Sequence, residues 1–134
     1  MALPCKNQNA RSKGLQKAVE FIFETFIFRI LRGAALFQIL WEFNVREEQI
    51  AEFEKFYSPT GLWAKLFCGF PGYLGTVLLR DAQAPRRYVT IDRWENAASH
   101  RAMREQVAKE YEALDKLCEA LTESERRIGT FDEC

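Results

Sequence analysis

Phe37-Gln38-Ile39-Leu40-Trp41-Glu42-Phe43-Asn44-Val45 is the stretch from which the fold is read. Its odd-numbered positions are all apolar, whereas Gln38, Glu42 and Asn44 share the even ones with Leu40. Side chains of a strand point alternately to its two faces, so this is a strand with one fully apolar face, and a core must lie against Ile39, Trp41 and Phe43. Downstream, Asn44 and Glu47 stand at capping-box spacing, and Ile50, Phe53, Phe56 and Tyr57 recur at helical intervals, which predicts a first helix from about Arg46 to Tyr57. Ser58-Pro59 restarts the chain, placing Leu62, Trp63, Leu66 and Phe67 on a second short helix that ends near Gly69. Pro71-Gly72 supplies the central pair of a tight turn.

Two runs rich in β-branched and aromatic residues follow, Tyr73 to Arg80 and Arg87 to Trp94, separated by a Pro85-containing connection, and they predict an antiparallel hairpin. Asn96 then caps a long helix whose Met103, Val107, Tyr111, Leu114, Cys118 and Leu121 form one apolar stripe. Thr122 to Glu125 repeats the capping-box spacing, and Ile128 to Phe131 is long enough for one short closing strand. The order strand, helix, strand, strand, helix, strand is that of the ferredoxin-like split βαβ motif, an α+β fold with an antiparallel sheet. Helices on one face of such a sheet leave the other bare, here with Leu36, Leu40 and Tyr88 beside Gln38, Glu42, Thr90 and Asp92. That half-apolar surface calls for a cover, either a second copy in a homodimer with the sheets face to face or the N-terminal extension.

The extension comprises residues 1–33, ahead of a domain over 34–134. Residues 1–14 are polar and basic and are expected to be disordered. Leu15, Val19, Ile22, Phe26 and Ile30 then fit one face of an amphipathic helix, and Glu24 and Arg29 interrupt the apolar run well short of a bilayer span. No membrane association is expected. Nor is nucleic-acid binding, because 19 Lys and Arg balance 19 Asp and Glu and leave no net field to gather a polyanion. Cys5, Cys68, Cys118 and Cys134 are scattered, without metal-ligand spacing, and are expected to be reduced thiols in a cytoplasmic protein. No P-loop, dinucleotide fingerprint, serine elbow or zinc pattern occurs, so neither a cofactor nor a metal is expected.

Candidate chemistry rests on few residues. His100 is the only histidine, near the start of the long helix, and its ordinary pKa suits a general base; the plainer alternative is a solvent-facing helix residue. Trp63, Tyr73, Tyr57 and Trp94, with Trp41, could line a cavity for a flat molecule, against the plainer reading that they form core. Arg93 is expected on the helix-covered face with Val89 and Ile91, where it needs a carboxylate partner or an anionic ligand; Asp92 falls on the opposite face.

The strand ending Trp41-Glu42-Phe43-Asn44-Val45, the pattern Phe53-Glu54-x-Phe56-Tyr57, the turn Pro71-Gly72-Tyr73 and above all Tyr88-Val89-Thr90-Ile91-Asp92-Arg93-Trp94-Glu95-Asn96 resemble the antibiotic biosynthesis monooxygenase superfamily of dimeric α+β barrels, over about residues 35–131. The resemblance implies a small cofactor-independent monooxygenase acting on a flat aromatic or quinol-type substrate. A non-catalytic small-molecule-binding or interaction module on the same fold is the alternative. In haem-degrading relatives an Asn on the first strand and a Trp and a His on the second helix line the pocket. Those positions fall near Trp41, Met103 and Ala113 here, which disfavours haem degradation.

Overall fold

In a computed structural model of the chain, residues 36–134 are described. The expected extension over residues 1–33 lies outside them. Four strands, β1 (Phe37–Val45), β2 (Tyr73–Arg80), β3 (Arg87–Trp94) and β4 (Thr122–Asp132), form one sheet in the order β2-β3-β1-β4, every neighbouring pair antiparallel. The helices are α1 (Ile50–Tyr57), entered through a 3-10 turn at Glu47–Gln49, α2 (Leu62–Phe67), α3 (Ala97–Gln106) and α4 (Ala108–Cys118). This is the ferredoxin-like α+β arrangement expected from the order of elements.

Local chemistry accounts for most boundaries. Asn96 caps α3 as expected, its side-chain oxygen accepting from the Ser99 amide at 2.8 Å. Asn44 instead stays within β1 and donates to Ser124 Oγ across the sheet at 3.0 Å, so the first helix begins later than the capping-box spacing suggests. The expected long helix is broken at Val107, where φ −115° and ψ 30° leave the helical range. The closing strand starts at Thr122 rather than Ile128. Its Glu123, Glu125, Arg126 and Arg127 disguised it, because charged residues are what keeps the edge of a sheet from pairing with another chain.

The turn before β2 depends on Gly72. It adopts φ +88°, its carbonyl accepts the Glu95 amide at 2.8 Å, and a Cβ there would collide with the Ser99 side chain on α3. Gly72→Ala is therefore expected to lower unfolding stability by about 1–3 kcal/mol, read as a shift in denaturant midpoint at unchanged slope.

Cross-strand pairing decides which side chains face the helices. Phe37 stands opposite Trp94, Ile39 opposite Asp92, Trp41 opposite Thr90 and Phe43 opposite Tyr88, and directly opposed residues share a face. Ile39, Phe43, Tyr88, Thr90 and Trp94 are buried against Phe53, Tyr57, Trp63, Phe67 and Met103 from the helices. Aromatic rings dominate this core, with Phe53 and Tyr57 centroids 4.3 Å apart and Phe53 and Tyr88 5.0 Å apart.

This corrects the expected orientation of β3. Arg93, Ile91 and Val89 face away from the helices, and Asp92, Thr90 and Tyr88 face them. Val89 and Ile91 suggested the opposite because the outer face is also apolar. There Leu40 lies opposite Ile91, with Val77 beside it and Leu79 opposite Val89; Leu79 and Phe131 remain 49% and 48% exposed. At its margin Glu42 pairs with Arg87 at 2.6 Å and Arg126 at 3.5 Å.

Candidate functional site

The core face of the sheet does not close completely on the helices. Two adjoining recesses of about 190 and 290 Å³ remain, sharing Trp41, Phe67, Asp92, Arg104 and Tyr111 as walls. Together they reach the size at which small-molecule sites begin, roughly 300 Å³ and upward. Phe43, Tyr57, Trp63, Thr76, Thr90, Asp115 and Glu125 complete the smaller recess; Ile39, Trp94, His100 and Arg127 complete the larger one.

Asp92 is the ionisable group common to the walls of both recesses at their sheet side. Thr76, directly across the β2–β3 pair, donates to it at 2.6 Å, and the Tyr73 hydroxyl lies 2.5 Å from the same Thr76 oxygen. When Asp92 is ionised, Thr76 must spend its only proton on the carboxylate, so Tyr73 must donate to Thr76. Burial pushes the Asp92 carboxyl up to about 6, although the Thr76 hydrogen bond pulls it down. A carboxyl in that range exchanges its proton close to neutral pH, as a general base must.

His100 stands between Phe37 and Trp94, with ring centroids 6.1 and 5.5 Å away. Burial first, then repulsion from Arg104 and Arg127, lowers its pKa to about 4, so the imidazole is neutral at pH 7. Burial raises the hydroxyls of Tyr57, Tyr73 and Tyr111, which keeps them protonated as hydrogen-bond donors. Among the described residues the Trp63 and Trp94 indole N–H groups are buried without a well-formed hydrogen bond, although Trp63 lies near Tyr57 and Cys118.

Of the residues singled out in the sequence, Tyr57 and Trp63 border the smaller recess and Trp94 and His100 the larger one. Tyr73 joins through Thr76, and packs on Phe67 and Trp94. Arg93 is on the far face of the sheet, bonded to Glu133 at 3.3 Å, and has no part in the cavity. Asp92, Arg104, Tyr111 and Arg127 were not anticipated there. A signal for the first was present: Thr90 and Asp92 keep the parity of Tyr88 and Trp94, the two largest side chains of β3.

Among the described residues, no cluster of three or more His, Cys, Asp or Glu is placed to hold a metal ion, and no helix is long and apolar enough to cross a membrane. Cys118 and Cys134 are free thiols, whereas Cys68 is disulfide-bonded, which departs from the expectation of reduced thiols throughout.

The family model for antibiotic biosynthesis monooxygenases matches residues 37–113, from the first strand through the wall residues Asp92, His100, Arg104 and Tyr111. This chain belongs to the antibiotic biosynthesis monooxygenase family. Solved structures agree at the level of fold. SnoaB from Streptomyces nogalater, a cofactor-independent oxygenase, is 24% identical with a TM-score of 0.62, the match covering 75% of this chain and 95% of SnoaB. A single-site variant of SnoaB superposes with a TM-score of 0.60 at 24% identity, over 72% of this chain and 90% of that one. A conserved protein from Methanosarcina mazei is 10% identical with a TM-score of 0.56, covering 78% of this chain and 96% of the other. No curated protein sequence matches significantly. Membership of the antibiotic biosynthesis monooxygenase family supports a monooxygenase-type role and leaves the substrate open.

Proposed function

We propose that this protein is a cofactor-independent monooxygenase that oxidises an activated methylene or phenolic carbon of a flat aromatic or quinol-type molecule, with Asp92 as the base. The observation that carries the reading is a half-buried, desolvated carboxyl, poised near 6, on the wall of an aromatic-lined cavity in a chain of this family. Asp92 removes a proton from a methylene flanked by aromatic rings, and the resulting carbanion is electron-rich enough to pass one electron to dioxygen. Recombination of the two radicals forms the C–O bond of a peroxide anion. Asp92 returns its proton to that peroxide, and loss of the second C–H proton with cleavage of the O–O bond leaves a ketone and one water. One oxygen atom enters the product and the other leaves as water. Tyr73 and Thr76 hold the carboxylate oriented and steady its charge. His100, neutral at pH 7, is the second candidate base, but its pKa of about 4 makes it the weaker one.

Dissolved-oxygen uptake with a panel of anthrones and quinols tests this. Turnover that survives His100→Gln but not Asp92→Asn supports the assignment. Binding across the panel without oxygen uptake would instead favour a small-molecule-binding module. Catalysis in this scheme uses no cofactor or metal.

The outer sheet face is assigned to a second copy of the chain, because Leu40, Val77, Leu79, Val89 and Ile91 make a continuous apolar strip bordered by the Glu42, Arg87 and Arg126 ion pairs. Sedimentation at micromolar concentration should give a dimer, and Leu79→Glu a monomer. A monomeric parent protein under those conditions would refute the homodimer.

A further inference from the structure

The core-facing row of β1 is interrupted in its middle. Ile39 and Phe43 are 4% and 3% exposed, whereas Trp41, which stands between them on an inner strand of the sheet and is the largest of the three, is only half-buried. Tryptophan is on average a highly buried residue, so an indole left open at that position marks where the helices stand away from the sheet. Across the strands it meets Thr90 on β3 and the exposed Arg127 on β4, so no second ring flanks it there. The other two tryptophans are enclosed. Trp94 packs against Phe67, Tyr73 and His100, and Trp63 against Tyr57, Phe67 and Tyr111. Trp41 has one aromatic neighbour among the described residues, Phe43 on the same strand, with centroids 6.5 Å and planes 25° apart. Trp41 and Tyr111 are both walls of both recesses, yet Tyr111 is fixed elsewhere, on Trp63 at 4.7 Å and under the Arg104 guanidinium at 3.6 Å. The open indole and the anchored Tyr111 ring border one space without packing on each other.

We propose that Trp41 is the stacking platform of the cavity and its specificity-determining residue, admitting a fused aromatic system of two or three rings that lies flat on the indole with one end in each recess. The inference rests on the reading of the cavity as a small-molecule site, and adds the shape admitted and the residue that selects it. A planar π-system gains offset stacking on an indole face, whereas a puckered ring of the same carbon count gains only the burial of its surface. Size agrees with shape. An apolar cavity of about 150 Å³ takes one benzene, so recesses of about 190 and 290 Å³ have room for about one ring and two. On the same face of the sheet Asp92 is the diagonal neighbour of Trp41, opposite Ile39 and two residues beyond Thr90, so a ring resting on the indole brings its edge to the carboxyl.

The test compares 1-naphthol with decahydro-1-naphthol, its saturated counterpart, by titration calorimetry on the full chain. Both are neutral and share one carbon skeleton and one hydroxyl, and neither needs to be turned over. The parent protein is expected to bind the flat alcohol about fivefold more tightly. Trp41→Leu should bring that ratio to about one, chiefly by weakening 1-naphthol, and Trp41→Phe should leave it at about twofold, because a smaller ring stacks over less area. Thermal unfolding checks that the variants fold. A measurement on the parent protein needs no variant to be stable: 1-naphthol should move the nuclear magnetic resonances of the Trp41 indole further than those of the enclosed Trp94. Equal affinity for the two alcohols, no binding of either, a ratio unchanged in both variants, or larger movement at Trp94 than at Trp41 overturns the proposal. Binding that depends on Trp41 without oxygen uptake by any member of the anthrone and quinol panel would sustain it and refute the monooxygenase reading alone. Oxygen uptake undiminished in Trp41→Leu would refute it and leave that reading standing.

Discussion

The Asp92→Asn variant is expected to lose at least about a hundredfold in oxygen uptake and, at pH 8, to be more stable than the parent protein. The two effects share one cause. General-base catalysis contributes roughly 10²–10⁴ in rate, and asparagine keeps the size of the side chain and an oxygen that can accept from Thr76 while losing the ability to take a proton. The stability gain follows from the raised pKa of the parent carboxyl. Between its ordinary value of 3.8 and about 6 the native state binds the proton more tightly than the unfolded chain does, so the Asp92 contribution falls as pH rises across that window. The shift of about two pH units corresponds to about 3 kcal/mol, an upper bound on the gain at pH 8. Activity should rise with pH through an apparent pKa near 6 in kcat/KM, just where Asp92 becomes destabilising.

His100 runs the other way. Its pKa is lowered from 6.5 to about 4, so the unfolded chain takes up its proton first, and stability from this group is lost as pH falls from 6.5 to 4. The two slopes oppose each other over much of the same range, and the parent protein should show a shallow profile between pH 4 and 6.5. Asp92→Asn removes one of them, so its stability should rise with pH there; His100→Gln should do the reverse. Urea midpoints at half-unit pH intervals measure all three. Parallel profiles would show that neither group is perturbed as described.

Trp94→Ala is expected to cost about 3–5 kcal/mol, a large share of the roughly 5–15 kcal/mol by which a domain of ordinary stability is held folded. Trp94 is fully buried, its ring centroid lying 5.8 Å from Phe67, 5.1 Å from Tyr73 and 5.5 Å from His100, and truncation would leave a cavity among three rings that no neighbour can fill. Trp94→Phe should cost much less, about 1–2 kcal/mol, because the indole N–H makes no hydrogen bond among the described residues and its loss leaves none of them stranded. Chemical denaturation of both variants checks the ratio. A phenylalanine variant as unstable as the alanine one would mean that the indole nitrogen has a partner after all. With Trp94 serving the core, its part in the site is to form the wall behind His100.

Much of the architecture was open to a reader of the chain. Alternation in Phe37 to Val45, the turn at Pro71-Gly72, the hairpin runs and the cap at Asn96 each follow from short-range sterics and hydrogen bonding, and such features can be read a few residues at a time. The helix break at Val107 carried no local mark, and the charges of β4 concealed an edge strand. The aromatic candidates Tyr57, Trp63 and Trp94 could be proposed because bulky rings must go inside, and inside is where the cavity is.

The reacting carboxyl could not be placed in the same way. Local sequence establishes that Asp92 and Arg93 point to opposite faces of β3, since a strand alternates with period two. Which of them enters the core depends on the pairing of β3 with β1, where Ile39 meets Asp92 and Trp94 meets Phe37. Both faces of the strand are apolar enough to be buried, one by helices and the other by a partner surface, so composition does not discriminate between them, and a shift by one position reverses every assignment. Arg104 and Arg127 are 23 residues apart and meet at one cavity only because α3 and β4 flank the same part of the sheet. The strand, its alternation and its family signature are properties of the chain; the inward turn of Asp92 and the meeting of Arg104 and Arg127 at one recess are products of the assembled sheet, because only pairing and packing choose a face.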